Sequence, residues 1–273
     1  MLVRKITTLL VLLIPVFFFS CLKETNDNLD QLEKYNLNNP QVTAQVKFIH
    51  AYTPLTLGGA PALSTATVGF RIIMDGNKLN AATNTSPSTN TLMYGGVFPP
   101  TTAYSFLQTG LHNFRFVMNR ITAGNFAPVT GDEIFNTSLT LNSGKKYSIF
   151  IADPYPAPNA YMVEDNFQEP NRGAYAVRFI NLCADVATRF DVTSTKFGTK
   201  LFSNVGYREL KDYIYLPVPA TTDTLHLRLA GTNTIVAQVN GFTAGTQRVY
   251  TFYARGKTGV AGRTPSLFFY TNR

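Results

Sequence analysis

Val46-Lys47-Phe48-Ile49 and Val177-Arg178-Phe179-Ile180 are one pattern written twice: valine, a base, phenylalanine, isoleucine. Residues of this kind favour strands. Two more pieces follow each copy in the same order. Leu111-His112-Asn113-Phe114-Arg115-Phe116 returns, one residue shorter, as Leu225-His226-Leu227-Arg228-Leu229. Gly144, then Tyr147-Ser148-Ile149-Phe150, returns as Gly245, then Tyr250-Thr251-Phe252-Tyr253. Three pieces repeated in order point to a tandem duplication.

Between these pieces, alternation at period 2 recurs and helical periodicity does not. Val68 to Met74 is a strand closed by Asp75-Gly76, a hairpin dipeptide. In Leu111 to Met118, Phe114, Phe116 and Met118 share one face and Arg115 takes the other. Leu267-Phe268-Phe269-Tyr270 reads as the last strand. The fold class is all-β. The expected organisation is a leader over 1–20, a tether over 21–41, and β-domains over 42–152 and 174–273. Between those domains, 153–173 holds Pro154, Pro156, Pro158 and Pro170 and reads as an extended linker, with Glu164-Asp165 as a solvated turn.

The order Val177-Arg178-Phe179-Ile180, Phe190-Asp191-Val192, Leu225 to Leu229, Gly245 and Tyr250-Thr251-Phe252 resembles the family known as domain of unknown function 4397. The first copy departs from it, with Phe70-Arg71-Ile72 lacking the aspartate and an added Ser/Thr-rich stretch over 81–91, so the second copy looks the closer. The resemblance implies bacterial secreted or surface proteins, often in tandem and often behind a lipoprotein leader. It also implies immunoglobulin-like or transthyretin-like antiparallel β-sandwich domains. It carries no catalytic residues.

The leader agrees with that setting. Arg4 and Lys5 precede an apolar run from Ile6 to Phe19, the form of a secretory signal peptide. As a helix the run would reach about 21 Å, against about 30 Å of bilayer hydrocarbon. Phe18-Phe19-Ser20-Cys21 has the form of a relaxed lipobox, with cleavage between Ser20 and Cys21 and lipid (diacylglycerol and palmitate) on the Cys21 thiol. Two or more acyl chains anchor stably at ~0.8 kcal/mol per buried methylene. The expected location is the cell envelope, as an outer-membrane lipoprotein of either face.

Composition narrows the partners. Charged residues are 15% and apolar ones 45%, so the chain can bury a core. Beyond the leader, the only adjacent basic pair is Lys145-Lys146, which speaks against nucleic acid. His50, His112 and His226 lack zinc spacing, and no calcium loop, nucleophile elbow or nucleotide fingerprint appears. No cofactor or metal is expected. His112 and His226 are read as outward positions of equivalent strands, and Cys183 as a small buried hydrophobe. Tyr155 and Tyr161 are the candidate ligand-binding residues, as aromatic platforms for a glycan. Asp223-Thr224-Leu225 has the form of a short O-glycan acceptor. The functional reading is a non-catalytic adhesion, binding or structural module whose partner is a glycan or envelope protein. The alternatives are an envelope polysaccharide hydrolase and a spacer or assembly subunit docking through Leu267–Tyr270.

Overall fold

The computed structural model describes residues 42–53, 68–80, 92–120, 132–153, 158–260 and 263–273. The signal peptide, Ser20, Cys21 and Tyr155 lie outside them. Gln41–Arg273 forms one compact unit. Its first half contains β1 (Thr43–His50), β2 (Val68–Met74), β3 (Asn77–Lys78), β4 (Leu92–Met93), β5 (Val97–Phe98), β6 (Ser105–Gln108), β7 (Gly110–Arg120), β8 (Asp132–Leu141), β9 (Lys146–Ala152) and β10 (Asn159–Glu164). One sheet runs β10-β9-β1-β5, with β6 also on β1. The other runs β3-β2-β7-β8, with β4 on β2. The second half contains β11 (Ala174–Cys183), β12 (Phe190–Ser194), β13 (Lys200–Val205), β14 (Leu210–Pro217), β15 (Asp223–Leu229), β16 (Ile235–Phe242), β17 (Val249–Gly256) and β18 (Ser266–Thr271). Its sheets run β14-β11-β17-β18 and β13-β12-β15-β16.

Each half closes a core between its two sheets. Val46, Phe48, Phe70, Ile72, Phe114, Phe116 and Ile149 are sealed in the first. Val177, Phe179, Phe190, Val192, Leu225, Leu227 and Phe252 fill the second, with Cys183. Full burial of one such side chain contributes about 1.5–3 kcal/mol. Asp75 and Gly76 both take positive φ, 48° and 85°, as the tight turn from β2 to β3 requires.

The repeated pieces pair alike. Val46, Lys47, Phe48 and Ile49 face Tyr147, Ser148, Ile149 and Phe150. Val177, Arg178, Phe179 and Ile180 face Tyr250, Thr251, Phe252 and Tyr253. Both pairings are parallel, so the sheets expected to be antiparallel are mixed. Parallel strands persist where both faces are covered, and both are covered here. Odd residues of β1 turn away from their own core, and Ile49 and Phe150 pack in one buried cluster with Ile180, Leu182, Tyr253 and Tyr270 of the second half. The two inner sheets therefore share a buried seam.

Over its described residues 158–173, the 153–173 stretch is not an extended hinge. Asn159–Glu164 is an edge strand paired antiparallel with β9. Pro158 and Pro170 flank it outside the ladder, where a missing N–H costs no strand bond. Glu164 is exposed and meets Lys145 at 2.8 Å, but Asp165 is buried. Its carboxylate accepts from Tyr104 Oη and Ser148 Oγ, both at 2.7 Å, and pairs with the Arg178 guanidinium. Arg178 also donates to Thr251 Oγ1 at 2.9 Å and to the Glu164 carbonyl at 3.1 Å, and lies over the Tyr213 ring at 4.8 Å. Tyr270 Oη donates to Ser148 Oγ at 2.8 Å, joining the halves again.

A buried cation stripped of its only anion is costly, by about 3–5 kcal/mol. Asp165→Ala is therefore expected to lower unfolding stability by about that much in urea titration. A loss below 1 kcal/mol would show that the pair does not hold the seam.

Candidate functional site

A cleft of about 390 Å³ opens at the end of the seam where β1, β9 and β17 begin. Strand register builds its first wall. Phe106 lies opposite Gln45 across β6 and β1, and Gln45 lies opposite Lys146 across β1 and β9. Ala44, Val46 and Tyr147 face the core, so these three side chains form one row on the seam face. Arg248, Asn272 and Arg273 of the second half supply the facing wall. Phe106 keeps 39% of its surface exposed. Lys146 Nζ sits 5.7 Å from the Tyr104 ring centre and 5.7 Å from that of Phe167. Among the described residues, the lining includes no Asp, Glu, His or Cys, although Glu169 pairs with the lining Arg273. The cleft thus offers an apolar ring, two amides and three basic side chains, of which Arg273 is paired with Glu169.

Its floor is the polar network of the seam. Tyr104 Oη accepts from Asn272 Nδ2 at 3.1 Å while donating to Asp165. Burial, then the Asp165 charge, raises the Tyr104 pKa far above the ordinary phenol range, so the ring stays neutral. One row deeper, Lys47 is fully buried. Its ammonium donates to the Thr101 carbonyl at 2.7 Å and the Thr271 carbonyl at 3.0 Å, 4.7 Å from the Tyr104 ring centre.

Tyr161 is not a free platform. It is half-buried in β10; its hydroxyl donates to Asp153, and the Arg208 guanidinium covers its ring at 4.8 Å. Tyr207 also donates to Asp153, which pairs with Arg208 at 2.6 Å. The cluster is a second clamp between the halves. His112 points inward, contrary to the expectation. Its Nδ1 lies 2.6 Å from Asp75 Oδ2 and its Nε2 2.8 Å from the Gln108 carbonyl. Phe116 faces Ile72 and Leu227 faces Val192, so His226 matches Arg115 rather than His112. Asp191 is buried and ties β13 to the turn after β15, accepting from Lys200 Nζ at 2.6 Å and from the amides of Asn204 and Gly231. Burial raises its pKa, but those donors outweigh it and hold the carboxyl below the usual range. Asp223 of the acceptor-like tripeptide is buried and takes hydrogen bonds from Ser194 at 2.5 Å and Thr195 at 2.9 Å. No group of three metal-ligating side chains occurs among the described residues.

The model of the family described as Domain of unknown function (DUF4397) matches residues 63–193. The match runs from the approach to β2 through the first half and ends at β12, so it falls mainly on the copy expected to resemble the family less. No curated protein matches. Among solved structures, the Bacillus anthracis TIE protein is 10% identical with a TM-score of 0.21, covering 79% of this chain and 34% of that one. This chain thus spans about a third of that protein's length. CBMbc (family CBM26) from Eubacterium rectale, solved with maltoheptaose, is 8% identical with a TM-score of 0.24, covering 82% of this chain and 96% of that one. TM-scores this low carry no weight on function.

Lys47 makes the cleft floor sensitive to alkali. Burial pushes its pKa from 10.5 down to about 8, with Asp165 opposing. Between those values the unfolded chain holds a proton that the folded chain has released, so stability from Lys47 rises with pH over about 8 to 10.5. In urea titrations across that window, the stability of the parent relative to Lys47→Met is expected to climb. A difference that stays flat would contradict the burial of a charged Lys47.

Proposed function

We propose, for a chain whose residues 63–193 belong to the DUF4397 family, a non-catalytic binding module held at the cell envelope by lipid on Cys21. The ligand is a saccharide chain lying in the seam cleft. The observation that carries this reading is the row Phe106–Gln45–Lys146 facing Arg248 and Arg273. An exposed aromatic ring offers a sugar face its apolar contact, and amide and cationic donors orient hydroxyl or acidic substituents. Polysaccharide hydrolysis by the usual route needs two carboxylates about 5–9.5 Å apart, and the lining supplies neither. A second reading rests on β18, which ends its sheet as an edge strand, a position open to strand addition by a partner protein.

The test is binding of the purified protein to a glycan array that includes uronate-containing polymers. Phe106→Ala and Lys146→Ala are each expected to weaken retention about tenfold, near the 1.4 kcal/mol of a modest interface anchor. Unchanged retention in both variants would remove the cleft from the function. Cys21→Ala is expected to abolish palmitate labelling and release the protein from membranes; a variant that stayed bound would rule out the anchor.

A further inference from the structure

The other end of the seam holds a different arrangement. Arg248 borders the cleft and Arg255 lies seven residues along β17, about 23 Å away at ~3.3 Å per residue. There, four side chains stack in file. The Arg255 guanidinium carbon is 3.9 Å from the Phe268 ring centre and 3.8 Å from that of Tyr94. The Arg263 guanidinium carbon is 3.9 Å from the same Tyr94 ring. Two guanidinium groups cannot share one face at that height, so Tyr94 separates them. Gly95 makes the room: a Cβ there would come within 2.2 Å of Arg255.

Both arginines are more than nine-tenths buried, at 6% and 4% exposure. Nε and Nη1 of Arg255 and both Nη atoms of Arg263 find no hydrogen-bond acceptor among the described residues. His50 is fully buried beside them, its ring edge-on to Tyr94 at 5.7 Å and stacked on Phe70 at 4.3 Å. Neither ring nitrogen of His50 has a partner among the described residues. Burial, then Arg255 and Arg263, holds its pKa well below the ordinary imidazole range. The imidazole is therefore neutral, with one N–H to give.

Stacking on aromatic rings satisfies the faces of a guanidinium but not its N–H edges. Arginine cannot shed its proton, so two such charges without an anion are a heavy desolvation cost. Elsewhere the buried cations have their donors met: Arg178 pairs with Asp165, and Lys47 donates to the Thr101 and Thr271 carbonyls. Among the described residues no carboxylate pairs with Arg255 or Arg263; their ionisable neighbours are the phenols of Tyr94 and Tyr253 and the Cys183 thiol. The segments 54–67, 81–91 and 261–262, which adjoin Thr53, Leu92 and Arg263 in sequence, contain no Asp or Glu. Among the described residues no acidic side chain meets these donors.

We infer that Arg255, Arg263 and His50 form an internal oxyanion site that takes a carboxylate or a phosphate group. The donors come from both halves, since His50 ends β1 and Arg255 lies near the end of β17. An occupant would therefore bind only the docked pair of sandwiches. The site lies apart from the cleft and does not depend on it.

The test is thermal unfolding of the purified protein titrated with sodium phosphate or sodium glucuronate, with chloride holding ionic strength constant. A ligand that binds only the folded state raises Tm in proportion to the logarithm of its concentration above Kd. A saturable rise of several degrees is expected with at least one of the two. Phosphate alone would identify a free phosphate site; glucuronate alone would identify the acidic group of a saccharide. Arg263→Gln is expected to erase the rise and Arg263→Lys, which keeps the charge but loses the planar fork, to weaken affinity at least tenfold. No rise with either anion, or a full rise in Arg263→Gln, would overturn the site.

Discussion

The pairing of Arg178 with Asp165 holds the rest of the structure in place. Both side chains are buried on the seam between two sandwiches, where removing one partner of a pair costs about 3–5 kcal/mol. Arg178 comes from the central strand of the second half, and Asp165 from just beyond the edge strand β10 of the first. Neither half can bury its polar residue without the other. Ser148, Thr251, Tyr104, Tyr270 and Asn272 then close the hydrogen bonds around the pair. The pair fixes register as well as adhesion, because an apolar seam alone would tolerate sliding.

From that lock the seam divides into zones by strand alternation. Rows two residues apart on β1 and β17 present, in turn, the cleft lining, the charged lock, the dry cluster around Ile49, Phe150, Ile180 and Tyr253, and the arginine stack. The two proposed binding sites lie at the ends of the seam, and the middle is used for cohesion. One end exposes an aromatic ring with cations around it, and the other encloses cations with their donors unmet. Both ends combine residues of both halves, so any ligand they hold reads the docked state.

Much of the fold was legible in the chain. Val-base-Phe-Ile marked both central strands, and Asp75-Gly76 marked its turn, because strand periodicity and turn chemistry are local. The parallel pairing was not legible, since β-branched runs do not reveal the direction of their neighbour. Ala160-Tyr161-Met162-Val163 was hidden by flanking prolines, although an apolar run of that length already suits an edge strand. Asp165 beside Glu164 looked solvated; only the arginine arriving from β11 buries it. Lys47 and Arg178 were legible as a repeated base inside an apolar strand, and that is the signal a buried seam leaves. The site was barely legible. Phe106, Lys146 and Arg248 come from distant stretches with no spacing to join them, and the tyrosine expected as a platform is held by Asp153 and Arg208.

The most direct test of this account is peptide-resolved hydrogen exchange under native conditions at increasing urea. If the charged lock unites the halves, the amides of β1 and β9 and those of β11 and β17 should open together, with one free energy equal to that of global unfolding. Exchange of either pair through a separate opening, while the other stays protected, would contradict it.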